Sequence, residues 1–224
     1  MARIRADEVL KGLDTDAVLT MAFDSPDWPT VIMIGSFLEL VLERAISTQF
    51  RPDQPLNTER RAELFDGYGP FASFSSKISV TYALGLLAKE SRDDLNIIKR
   101  IRNDAAHRID HFSFDNLDTK QKCNSLTLTK RSETGEIPLS NKDKTLIFQE
   151  RLDSLGANSP RAKFIISFTN ILADVVMKML WSIQFRATTV LLAMLIQKKI
   201  SPEKFKEIAA VLKVDHLLEG LDLA

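Results

Sequence analysis

The chain has one cysteine, Cys123, in 224 residues. That excludes an internal disulfide and a cysteine-based zinc site, and it fits a reducing compartment. Glycine and proline are sparse, at eight each, which is low for an all-β protein with many tight turns. Neither charge is in excess, with 30 Lys+Arg against 30 Asp+Glu. A generic polyanion binder carries a clear basic excess, so charge leaves room only for a local basic patch. The start, "MARIRADEVLKGLD", is charged throughout and lacks the apolar centre of a signal peptide. The longest apolar region, residues 171–196, is interrupted by Asp174, Lys178 and Arg186. A membrane span needs roughly 20 nearly uncharged residues, so this region reads as a core helix or helix pair. No phosphate-cradling G-x-x-x-x-G-K-[ST] loop, G-x-G-x-x-G turn or G-x-S-x-G elbow occurs. His111 and His216 have no metal-ligand companions at useful spacing. The expectation is a cytoplasmic protein with no metal, no cofactor and no membrane association.

What is present is apolar periodicity near 3.6. It predicts helices over 5–22, 31–50, 58–65 and 71–90. Ser91 followed by "RDD" predicts a cap and two acids in the first turn of the next helix, where they suit its dipole. "SFDN" starts another through Cys123. Residues 124–158 differ, being polar and turn-rich, with "TLIFQERL" readable as extended. Ser159 and Pro160 restart helix, and "SPEKF" (201–205) repeats that signal for a last helix to about Val214. The fold class is all-α. One helical domain spans 1–199, with an irregular insertion at about 124–158 that has room for a small β-ribbon. A helical appendage follows at 200–224.

The stretch "IIKRIRNDAAHRIDHFSFD" (97–115) holds the chemistry-bearing residues. On a helical wheel Leu95, Ile98, Ile101, Ala105 and Ile109 share an arc of roughly 120° that must face the core. Arg102 falls inside this arc. Asn103 and His107, four apart, lie on the other face, with His107 about 140° from Arg102. A buried arginine needs a carboxylate, and Glu39, Glu43 and Asp66 are the candidates. His107 reads as an exposed or capping histidine near a helix end. The basic pairs at 99–100 and 130–131 read as solvated surface. No compact helix triad offers a short turn and a basic recognition helix, so direct sequence-specific DNA binding is not expected.

The stretch "FDGYGPFASFSSKISVTYALGLL" (65–87), followed by "DLNIIKRIRNDAAHRIDHFSFD" (94–115), resembles the mannitol repressor (MltR-like) family of bacterial proteins. The family's "DGxGPLGxFSxKIxLAYALGLI" is met by Asp66, Gly67, Gly69, Pro70, Phe74, Ser75, Lys77, Ile78, Tyr82, Ala83, Leu84, Gly85 and Leu86. Its "IRNxFAH" is met by Ile101, Arg102, Asn103, Ala106 and His107. "SPRAKFIISFTNIL" (159–172) is similar to a later family helix. Phe71, Ala72 and Ala105 depart from the pattern, at positions that concern packing. The resemblance covers roughly 25–185 and is silent over the last forty residues. It implies an all-α fold and a transcriptional co-regulator, repressor-like, that acts through protein–protein contact. Its partner would be a protein such as a DNA-binding transcription factor, and a homodimer stays open.

R-N-x-x-x-H on a helix also resembles the R-x4-H motif of HEPN domains, which include metal-independent endoribonucleases and toxin-related proteins. In that chemistry an imidazole moves the 2′-hydroxyl proton while a guanidinium stabilises phosphate charge. Arg102, Asn103 and His107 would take those roles only where the helix distorts or a second chain completes the site. The third reading is a helical interaction module with another partner. The first reading, with no catalytic residue, is the one preferred.

Overall fold

The computed structural model describes residues 10–50, 56–108, 111–129, 142–156, 158–197 and 199–211. Among these, every regular element is helical: α1 Thr15–Asp24, α2 Asp27–Ser47, α3 Thr58–Phe65, α4 Phe74–Ala83, α5 Lys89–His107, α6 Leu117–Asn124, α7 Lys142–Leu155, α8 Pro160–Ile196 and α9 Pro202–Val211. Side-chain caps fix five of these starts, with the Ser201 hydroxyl accepting from the Lys204 N–H at 3.2 Å at the head of α9. Asp14 accepts from the Ala17 N–H at 2.9 Å, Asn57 from Arg60 at 2.9 Å, Ser73 from Ser76 at 3.0 Å and Ser159 from Ala162 at 3.2 Å. Each satisfies a backbone donor that the helix itself leaves unpaired.

Four expectations about boundaries change. The helix expected over 71–90 ends at Ala83. Gly85, at φ +72, takes the left-handed position after the cap. The Gly85 N–H donates to the Tyr82 carbonyl and the Leu86 N–H to the Thr81 carbonyl, both at 3.0 Å, which is the Schellman closure. The next helix then begins at Lys89 with Ala88 as N-cap, so Ser91 is a buried helical residue and not the cap. Within the expected irregular insertion, "TLIFQERL" lies in α7 and is not extended. Its Phe148 and Leu152 are buried four apart on one face. The first helix starts at Thr15, and residues 1–9, 130–141 and 212–224 lie outside the described residues, as do Ile109 and His216.

The core forms around α2 and α8. α2 packs against α1, α4, α5 and α8, while α8 also meets α5, α6, α7 and α9. Ile34, Leu38 and Leu42 of α2, Leu95, Ile98 and Ile101 of α5, and Phe164 and Phe168 of α8 are fully buried. Arg161, the second residue of α8, ties the α1–α2 corner. Its guanidinium donates to the carbonyls of Ala22, Phe23 and Ser25 and pairs with Asp27 at 3.1 Å. α8 is a single helix of 37 residues. By length and composition it could cross a membrane, but 61% of its most apolar window is buried among the other helices. Its far half carries a second, separate cluster in which Phe205 and Ala209 of α9 meet Leu191, with Ala187 and Leu195 beside them.

Candidate functional site

The "DGYGP" loop is a closed corner. α3 stops at Phe65, Gly67 follows at φ +56, and the Phe71 N–H returns to the Leu64 carbonyl at 2.8 Å. Gly69 lies flat on the end of α3. A Cβ there would sit 2.6 Å from the Glu63 and Leu64 carbonyl oxygens, so the backbone itself leaves no room. One glycine supplies a left-handed angle and the other a close approach. Pro70, Asp66 and Tyr68 stay exposed. Phe74, by contrast, is buried at the start of α4. Tyr82, at the far end of α4, stacks under the Arg92 guanidinium at 4.3 Å.

One turn into α4, Lys77 is buried between two carboxylates of α2. Its Nζ lies 3.2 Å from Glu39 and 3.3 Å from Glu43. Glu43 also receives Arg61 of α3, which reaches Asp66 at 4.0 Å, and Glu39 receives Arg102 of α5 at 3.7 Å. Four helices therefore share one ionic cluster with two acids at its centre. The Lys77 ammonium also stands 5.9 Å from the Phe65 ring centroid. Every buried charge here has an opposite charge beside it, which is the condition for keeping it out of water.

Arg102 reaches this cluster by a route the wheel did not give. It was expected inside the buried arc, yet its side chain keeps 30% of its exposure. The reason is Gly35 of α2. A Cβ on Gly35 would meet the Arg102 Cγ at 2.7 Å, so the arginine stem passes over a bare backbone. Its head then emerges toward Glu39 at the edge of the arc. Asn103 and His107 are exposed on the opposite side of α5. α5 is continuous through His107, so the regular helix sets Arg102 and His107 on different faces. His107 occupies the last turn of α5, where a cation suits the helix dipole.

Two residues were not singled out in the sequence as more than helix composition. Gly35 carried no signal, since a mid-helix glycine is explained only by what crosses it. From the sequence Asp94 is expected in a first turn, where an acid suits the helix dipole. It is fully buried and accepts from the Thr127 N–H at 2.9 Å, the Leu128 N–H at 2.9 Å and the Ser167 hydroxyl at 2.8 Å. It pins the segment after α6 to α8. Cys123 is also buried, and burial pushes its thiol up to about 12, which keeps it in the protonated form that is a poor nucleophile. Among the described residues no group of three His, Cys, Asp or Glu could hold a metal ion. An apolar groove of about 200 Å³ lies between α1 and α7, lined by Leu19, Phe23, Ile147, Phe148 and Arg151. None of the motif residues reaches it.

No protein-family model and no curated protein matches the sequence. The fold does match. A chain in the X-ray structure of the MtlR-HPr complex from Escherichia coli superposes with a TM-score of 0.52 at 15% identity. The superposition covers 72% of this chain and 97% of that one. Nearly the whole of the neighbour's fold is therefore contained here, and more than a quarter of this chain lies outside it. At this identity the likeness establishes the all-α fold and leaves the residue chemistry to be argued from the chain itself.

Proposed function

We propose that this chain is a bacterial regulatory protein of the mannitol-repressor type, working in the cytoplasm through contact with another protein. The observation that carries the reading is the fold shared along almost the full length of a chain from the MtlR-HPr complex. The "DGYGP" loop and Arg102 support it, because the loop forms a structural corner and Arg102 joins an ionic clasp with Glu39, Lys77, Glu43 and Arg61. A clasp of this kind holds helices at fixed angles and leaves the exposed surface of the bundle to recognise a partner. An HPr-like protein and a DNA-binding transcription factor are the partner classes to test. The ribonuclease reading rests on its short motif alone, since Arg102 and His107 serve different faces of α5.

Co-purification from the native host, read by mass spectrometry, tests the reading. Recovery of a transcription factor or an HPr-like protein, followed by direct titration of the purified pair, is the expected result. Recovery of a small antitoxin would count against it. So would metal-independent RNA cleavage that is lost in folded Arg102→Ala and His107→Ala variants.

A further inference from the structure

α8 outruns the body it packs on. Val175, Val176 and Met179 are its last fully buried contributions to the main core. The opposite side of these turns and the next two meets water. Met177, Trp181 and Phe185 follow one another at i, i+4 and i+8 and are 54%, 67% and 63% exposed. On a 100° wheel Met177 and Phe185 lie about 40° to either side of Trp181, and the three span about 12 Å along the axis. Single exposed apolar residues are ordinary on a protein surface, whereas a contiguous stripe of large ones marks a contact.

The stripe is a window in a face that is covered below and above. Asn170 and Asp174 lie within about 20° of Trp181 on the wheel. The Asn170 amide donates to the Leu128 carbonyl at 2.9 Å, and Asp174 accepts from the Ala88 N–H at 2.8 Å. The segment after α6 and the α4–α5 connection therefore lie across the lower end. Thr188 and Leu192 are also within about 20° of Trp181. Thr188 is buried, and Leu192 packs in the cluster with Phe205 and Ala209 of α9. From Asp174 to Thr188 is about 21 Å at 1.5 Å per residue, and a helix with its side chains is about 10–12 Å across. The window has room for one helix crossing α8.

Charge and area indicate which helix. Residues 179–185 carry no charged side chain. Lys178 pairs with Asp174 of its own helix at 3.1 Å, and the Arg186 guanidinium turns to the Thr48 carbonyl. The charges nearest the stripe are satisfied inside the chain, which leaves little to steer a charged partner or an anionic surface. A neutral centre suits a two-fold axis, where each residue meets its own copy and a charge would repel itself. Two aromatics and a methionine at these exposures offer about 400 Å² in all. That is half of the roughly 800 Å² each partner gives to a standard interface, enough for its apolar core, with Gln184 and Thr189 on the rim. The occupant must bring an equal uncharged ridge, and a second copy of this chain carries one. We propose that the protein is a two-fold dimer in which α8 of each copy crosses the other in this window, with Trp181 at the centre. The contact is closed, since each stripe covers the other, and it is independent of the regulatory reading.

Light scattering on the full chain is expected to give twice the chain mass of 25.3 kDa. Trp181→Asp and, separately, Phe185→Asp should each halve the measured mass with the far-ultraviolet circular dichroism unchanged, because neither side chain is buried in its own chain. Phe185→Asp carries the test if Trp181→Asp fails to fold, and quenching of the unaltered chain carries it without either. The chain has two tryptophans, Trp28 and Trp181, so acrylamide quenching with Trp181→Phe as the subtraction reads Trp181 alone. Its quenching constant should lie several-fold below that of N-acetyltryptophanamide in the unaltered chain and rise toward it in Phe185→Asp. A monomeric full chain overturns the proposal, and its binding to phosphatidylglycerol vesicles would then assign the stripe to a membrane surface. A dimer in which Trp181 is open to acrylamide, or one that keeps its mass in both folded variants, places the interface elsewhere and overturns it as well.

Discussion

Single residues carry two distinct kinds of cost here. Asp94 is a buried carboxylate whose charge is met by hydrogen-bond donors from Thr127, Leu128 and Ser167. Asp94→Ala removes the acceptor of two part-buried backbone N–H groups and of the buried Ser167 hydroxyl, and each unsatisfied buried donor costs about 1–3 kcal/mol. We expect about 3–5 kcal/mol of destabilisation in urea unfolding, and a loss under 1 kcal/mol would refute the role given to it. Arg102 is a milder case. Were it sealed in the core, its removal would cost about 3–5 kcal/mol. With the guanidinium a third exposed and 3.7 Å from Glu39, Arg102→Ala should cost about 1 kcal/mol, and His107→Ala less than about 0.5 kcal/mol. Gly35→Ala forces the arginine stem aside, at about 1–3 kcal/mol. In the Arg102→Ala background that cost should shrink, because the clashing Cγ at 2.7 Å is gone. A double-mutant cycle showing simple additivity would disprove the contact.

At the level of elements, what the chain announces depends on whether the cause is local. Asn57, Ser73 and Ser159 cap their helices through their own side chains, and two of these helices, α3 and α8, begin where the pattern says. The "LG" at 84–85 was also a legible stop. The apolar pattern running on through Leu86 and Leu87 masked it, although those two leucines are buried after the turn and not within the helix. α7 was hidden in the same way by its polar approach, while Phe148 and Leu152 held helical spacing. Arg102's partner was among the three carboxylates named from sequence. Gly35 and the burial of Asp94 were not legible, because both depend on which distant segment arrives. The "DGYGP" corner mixes the two causes and gives an ordered prediction. Gly67→Ala meets open space and only the left-handed strain of about 1–2 kcal/mol. Gly69→Ala drives a methyl into the backbone of α3 at 2.6 Å, which nothing flexible can relieve, so it should lower the melting temperature more than Gly67→Ala does. Equal melting of the two variants would show that the corner yields as a unit.

For the molecule as a whole, the two clusters of buried side chains make separable demands. The main core draws on α1, α2, α4, α5, α6, α7 and α8 and ends on α8 near Met179. The second cluster consists of the far half of α8, Ile200 and α9. Residues 181–195 of α8 contain one charged side chain, Arg186, so this half of the helix depends on cover from elsewhere. A chain ending at Lys199 loses Phe205 and Ala209, which are 0% and 1% exposed, and bares Leu191 and its neighbours. Those residues add to the exposed Met177, Trp181 and Phe185 of the same helix, and an enlarged apolar surface of this kind favours association. The body should still fold, since none of its core residues lies beyond Lys199. The expected outcome is a folded chain by far-ultraviolet circular dichroism that binds a hydrophobic dye and either associates or precipitates. Ending the chain at Val211 keeps the second cluster covered, so its dye binding should be smaller. A chain cut at Lys199 that stays dispersed, elutes in proportion to its length and binds no more dye than the full chain would mean that α9 protects nothing, and the far half of α8 would need another explanation for its composition.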